Sequence, residues 1–150
     1  MSNYTHILVA VDFSSSADTV VERAKAIVAR NEARLSILHV VEYVPPVDVA
    51  YEPILASAWE LDETELQQQS TEALAQFCKK HGVEDANQEV VIGTPKFEIS
   101  EYARQNQCDL IVMGAHGRHG IRLLLGSTAN GVLHEMPCDV LAVKIAKQES

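Results

Sequence analysis

One stretch of fifteen residues holds the densest chemistry in this sequence: Gly114-Ala115-His116-Gly117-Arg118-His119-Gly120-Ile121-Arg122-Leu123-Leu124-Leu125-Gly126-Ser127-Thr128. Glycines lack a Cβ, so the amides beside them can approach an oxyanion closely. Gly126-Ser127-Thr128 opens a helical pattern. Unpaired N–H groups, the positive end of the helix dipole and two hydroxyls therefore meet at that point. Such a combination suits the grip of a phosphate. The same residues would equally serve as a glycine-rich turn with Ser127 capping the helix. Arg118 could reach a phosphate or remain solvated. His116 and His119 are three apart, but no third metal ligand accompanies them.

Two common nucleotide motifs are missing. No Lys precedes Ser127, as a P-loop requires. The dinucleotide fingerprint follows a first strand, and here that turn reads Asp12-Phe13-Ser14-Ser15-Ser16, without glycine. Asp12, just past an apolar run, could cap the first helical turn or meet a ligand.

The elements that must position these residues alternate along the chain. A continuous apolar run, suited to a parallel strand covered on both faces, occurs at Ile7–Val11, and further strands are read at Leu35–Val41, Glu89–Gly93, Asp109–Met113 and Val140–Ile145. Between them lie helical patterns. The first is opened by a Ser15/Asp18 capping pair and buries Ala17, Val20, Val21, Ala24, Ile27 and Val28. The second starts near Asp62 or Thr64, turns Leu66, Ala73, Leu74 and Phe77 inward and stops at Lys79-Lys80-His81-Gly82. The third begins at Thr94-Pro95 and runs to Gln107. The last passes through Ala129, Val132 and Leu133 and is stopped by Pro137. Strand–helix alternation predicts an α/β fold with a parallel sheet and helices on both faces. The stretch 42–60, with Pro45, Pro46, Pro53, Tyr43, Tyr51 and Trp59, is the irregular part, and Tyr51 and Trp59 either pack on the sheet or cover a ligand. Residues 1–150 read as one domain.

Composition removes several function classes. With 12 basic against 21 acidic residues and only Lys79-Lys80 adjacent, no basic stripe exists for nucleic acid. Backbone amides can still hold a single nucleotide in an acidic protein. Cys78, Cys108 and Cys138 form no C-x-x-C pair, which disfavours zinc and redox motifs and suits a reducing compartment. No apolar run approaches a membrane span and the start carries no targeting pattern, so a cytoplasmic location is expected.

Read in order, Tyr4-Thr5-His6-Ile7-Leu8-Val9-Ala10-Val11-Asp12-Phe13-Ser14, Gly93-Thr94-Pro95, Cys108 through Gly117, and Gly126-Ser127-Thr128-Ala129 through Pro137-Cys138-Asp139-Val140-Leu141-Ala142-Val143 resemble the universal stress protein family. The resemblance covers the chain apart from 42–60. It implies a Rossmann-like three-layer sandwich whose five-stranded parallel sheet has the order 3-2-1-4-5. That order sets the first and fourth strands side by side, so that Asp12 and Gly114 share one crevice. Members that bind ATP carry two glycines separated by two residues, then a spacer, then Gly-Ser or Gly-Thr. Gly114, Gly117 and Gly126-Ser127 match, and the spacer Arg118–Leu125 is one residue shorter than the family's pattern.

Carried over by position, Asp12 approaches a phosphate-bound Mg²⁺ or Mn²⁺ or the ribose. Val40 offers its backbone to adenine, with Ala10 and Val11 lining the same wall. Met113, Gly114 and Gly117 wrap ribose and phosphates, and Gly126, Ser127 and Thr128 hold the terminal phosphates. The resemblance also implies an antiparallel homodimer through the last strand, around Leu141 and Val143. Four functions follow. They are an ATP-binding regulatory module acting on an unknown protein partner; a slow ATPase or autophosphorylating protein using Ser127 or Thr128; an adenylating enzyme, for which the first turn lacks glycines; and a dimer that works through partners without ATP.

Overall fold

The computed structural model describes residues 3–42, 63–115 and 126–144. Five strands, β1 His6–Ala10, β2 Arg34–Glu42, β3 Asn87–Gly93, β4 Leu110–Gly114 and β5 Asp139–Val143, form one parallel sheet in the order β3-β2-β1-β4-β5. Helices α1 Ala17–Asn31, α2 Glu63–Lys80, α3 Pro95–Gln105 and α4 Ser127–Glu135 cover it. The expected architecture and strand order are therefore observed.

Side-chain alternation splits the core into two layers. Ile7, Val9, Ile37 and Val112 meet Val20, Val21 and Ala24 of α1 and Leu74 and Cys78 of α2. Leu8, Leu38, Ile111 and Met113 meet Ile99 and Ala103 of α3 and Ala129 and Val132 of α4. Burying each large aliphatic chain contributes about 1.5–3 kcal/mol, whereas an exposed ion pair contributes about 0–1 kcal/mol. The continuous apolar strands, not the surface charges, hold the sheet.

Several local expectations are corrected. Ser15 does not cap α1: the N-cap is Ser16, without a side-chain cap bond. Asp18 accepts instead from His81 Nε2 at 2.7 Å, while His81 Nδ1 lies 2.8 Å from Glu22. Ala73 is exposed, and Cys78 takes the inward place one turn after Leu74. β1 and β4 begin one residue from the expected positions, at His6 and Leu110, and α3 stops at Gln105. The turn after α2 does use Gly82 at φ +69, with Val83 N–H donating to Cys78 C=O at 2.9 Å.

Asp109 pins the start of the chain. It accepts from Thr5 N–H at 2.8 Å, Thr5 Oγ1 at 3.1 Å and His6 N–H at 3.0 Å. Burial pushes its carboxyl up, but these bonds outweigh burial and hold it below its ordinary value. Asp18 and Glu22 are also held low, first by the His81 hydrogen bonds. A depressed folded pKa stabilises the native state above the unfolded value, near pH 4, and that stabilisation is lost as pH falls through the folded value. Thermal melts from pH 7 to pH 3 should show Asp109→Ala less stable by about 1–2 kcal/mol at pH 7, with the gap to wild type closing towards pH 3. An unchanged gap would remove Asp109 from this role.

Candidate functional site

The chain leaves β1 with two backbone groups already used. Val11 N–H donates to Leu38 C=O at 3.0 Å, and Val11 C=O accepts from His39 Nδ1 at 2.8 Å. His39 also lies against Phe13, with ring centroids 4.2 Å apart. Phe13 has φ +58, a left-handed conformation uncommon for a bulky residue. Stacking on His39 and an edge contact with Phe77 at 6.0 Å hold it there. The reversal delivers Asp12 into an Asx turn: its Oδ1 accepts from Ser14 N–H at 3.0 Å and from Ser14 Oγ at 2.6 Å. The Ser16 hydroxyl stands 2.6 Å from Ser14 Oγ. Asp12 is thus oriented by the serines of its own turn.

Ala10 and Val11 do not line one wall. Ala10 and Val40 border the layer of α3 and α4, while Val11 is buried in the layer of α1 and α2. β2 outruns β1, continuing from Leu38, opposite Ala10, to Glu42. Leu38 C=O is turned towards β1, so alternation turns the backbone of Val40 the same way, beyond the end of β1.

On the other side, Met113 is 4% exposed and packed in the core, so only its backbone can serve a ligand. Gly114 ends β4 opposite Val143, and Ala115 N–H donates to Val143 C=O at 2.9 Å. Gly126 N–H donates to Ala115 C=O at 2.7 Å, which ties the two ends of the glycine-rich segment together. The amide of Gly126 is therefore committed, contrary to the expectation that it is bare. Gly126 is the N-cap of α4, with φ −62 and ψ 157 and no side-chain cap bond. The amides of Ser127, Thr128 and Ala129 in the first turn have no intrahelical acceptor. Ser127 is exposed and Thr128 half-buried.

β1 leads to α1 on one face and β4 leads to α4 on the other, so the ends of β1 and β4 form a topological switch point. Asp12, the backbone of Val40, Gly114 and the start of α4 border it. Gly117, Arg118, His116, His119, Tyr51 and Trp59 lie outside the described residues. Sequence reading missed His39, Phe13 and Ser14, and only the buried polar His39 within an apolar run could have pointed to them. Among the described residues, no group of three His, Cys, Asp or Glu could hold a metal by itself. The thiols of Cys78, Cys108 and Cys138 are pushed up to about 11 by burial, which keeps them protonated and unreactive. No helix among the described residues is long and apolar enough to cross a membrane.

A doubly wound parallel sheet with such a switch point defines a Rossmann-like α/β protein. The model of the Universal stress protein family matches residues 3–144, and the chain belongs to that family. It is 39% identical over 146 residues to Universal stress protein A homolog 2 of Coxiella burnetii, covering 97% of this chain and 98% of that protein. Among solved structures it is similar to the universal stress protein UspA from Lactobacillus plantarum, at 32% identity and a TM-score of 0.70, covering 95% and 99% of the two chains. It is also similar to a universal stress protein in complex with cAMP, at 27% identity and a TM-score of 0.64, covering 95% and 98%.

Replacing His39 with Leu removes the donor to Val11 C=O and the ring under Phe13. Urea unfolding should show a loss of about 2–4 kcal/mol. A loss below about 0.5 kcal/mol would mean that His39 does not hold this turn.

Proposed function

We propose that this protein is a nucleotide-binding regulatory module of stress response that takes ATP at the switch point of its sheet. The observation that carries this reading is the start of α4, where the amides of Ser127, Thr128 and Ala129 follow an N-cap without a side-chain partner. The backbone of Val40 beyond the end of β1 would receive adenine. Gly114 and Gly117 would pass close to the ribose and phosphates, with Arg118 reaching them from the loop. Ala10 would border the base, and Met113 would contribute through its backbone. A similar universal stress protein was solved in complex with cAMP, which supports a nucleotide in this fold.

Asp12 fits a divalent cation that arrives with the phosphates. Mg²⁺ commonly takes one or two carboxylates, phosphate oxygens and several waters, and the Asx turn presents one oriented carboxylate. Bound there, Mg²⁺ or Mn²⁺ would neutralise phosphate charge. The described residues around Asp12 offer no separate general base, so hydrolysis or transfer to Ser127 or Thr128 would be slow. The partner would be a second copy meeting the outer edge of β5, since among the described residues β5 pairs with β4 alone and Val140, Leu141 and Ala142 are half-buried. Val143 faces inward at 2% exposure and would contribute backbone alone. Nucleotide occupancy would then be read by another protein.

The committed amide of Gly126 favours a second reading, a family dimer that acts through partners without nucleotide. Equilibrium dialysis with ATP and Mg²⁺, with phosphate release followed on the same sample, separates the two. The wild type should bind ATP with little turnover, and Asp12→Ala should bind about tenfold more weakly while melting near the wild-type temperature. Absence of binding at millimolar ATP would leave the second reading.

A further inference from the structure

We infer that Lys96 is the residue that reads the length of the bound phosphate chain, supplying a cation from α3 beside the start of α4. The inference rests on the nucleotide reading above and assigns a specificity-determining residue to that site. Lys96 lies in the first turn of α3, and α3 and α4 share one face of the sheet. A Cβ built on Gly131 of α4 would stand 2.6 Å from Lys96 Cδ and 2.8 Å from Lys96 Cβ. The aliphatic stem of Lys96 therefore crosses α4 over Gly131, at a distance that only glycine permits.

The direction of the stem follows from helix geometry. Residues four apart share a helix face, so Ser127, Gly131 and Glu135 form one stripe along α4. That stripe faces α3, because Arg104 of α3 reaches Glu135 with 3.0 Å between Nη2 and Oε2. Both helices begin at the carboxyl edge of the sheet, and helical side chains lean towards their own N-terminus. A stem that keeps this lean past Gly131 would carry its ammonium one turn up α4, towards Ser127 and Thr128.

The charge at its end is available. Lys96 is exposed and makes no ion pair among the described residues. The nearby acid of the same turn, Glu98, packs instead against Gly93, where its Oε1 would lie 2.7 Å from an added Cβ. Positions 96 and 98 fall on opposite sides of α3, so Glu98 does not neutralise Lys96 on the α4 side. An ammonium brought to that helix start would favour the ligand with the most negative charge at its far end.

Titration calorimetry of wild type, Lys96→Met, Lys96→Arg and Gly131→Ala with ATP and with AMP, all with Mg²⁺, tests this. Met keeps the stem over Gly131 and removes only the charge. Lys96→Met should weaken ATP about tenfold and leave AMP within about twofold, and Lys96→Arg should restore ATP to within about threefold. Gly131→Ala should displace the stem and lower the ATP-to-AMP preference without changing any charge. An unaltered preference in Lys96→Met would overturn the inference while leaving nucleotide binding intact. Equal weakening of ATP and AMP would make Lys96 a packing residue and overturn it too. A wild type that binds neither nucleotide would overturn the nucleotide reading and this inference together.

Discussion

The backbone bond from Val11 N–H to Leu38 C=O fixes where the central strand of the sheet stops. It is the last link between the end of β1 and β2, because the next acceptor on that side, Val11 C=O, is diverted to the His39 ring. β2 runs on to Glu42, and β4, equal to β1 in length, ends one register position beyond it at Gly114, so the central strand stops short of both neighbours and leaves a notch. Asp12, the backbone of Val40, Gly114 and the start of α4 border that notch. A parallel sheet cannot fill such a gap with more ladder, and α1 and α4 leave it on opposite faces.

The turn that follows is costly locally and is held from elsewhere. Phe13 at φ +58 carries a penalty of about 1–2 kcal/mol for a bulky side chain. Its ring lies between His39 and Phe77, and Phe77 in turn meets His81 with centroids 4.7 Å apart. His81 is bonded to both Asp18 and Glu22 of α1. A continuous path of rings and charges thus links the Asp12 turn to the junction of α1 and α2. At the far edge of the sheet the groove lined by Tyr4, Ile27, Leu110, Met136, Asp139, Val140 and Leu141 is different in kind. There Tyr4 O–H donates to Asp139 at 2.8 Å, and the groove is mostly apolar with no phosphate-holding group.

The sheet was legible because its inner strands β1 and β4 are written as unbroken apolar runs, which suit burial on both faces, and because apolar clusters recur at β2, β3 and β5. Their edges shifted by a residue or two where side-chain bonds intervened, as at His6 and Asp109. The chemistry was legible as glycine spacing but not as hydrogen bonding. Nothing local announces that Gly126 N–H belongs to Ala115, or that Ala10 and Val11 face opposite layers once β1 is paired. Likewise Ser15 and Asp18 have capping spacing, yet His81, 63 residues beyond Asp18, claims the carboxylate. Lys96 and Gly131 are neighbours only because α3 and α4 share a face, a tertiary fact with no trace in a linear motif.

Amide chemical-shift mapping during titration with ATP and Mg²⁺ tests the central claim most directly. The largest shifts should fall at Val40, Gly114 and Ser127 to Ala129. Shifts confined to the groove beside Tyr4 and Asp139, with the start of α4 unmoved at saturation, would contradict it.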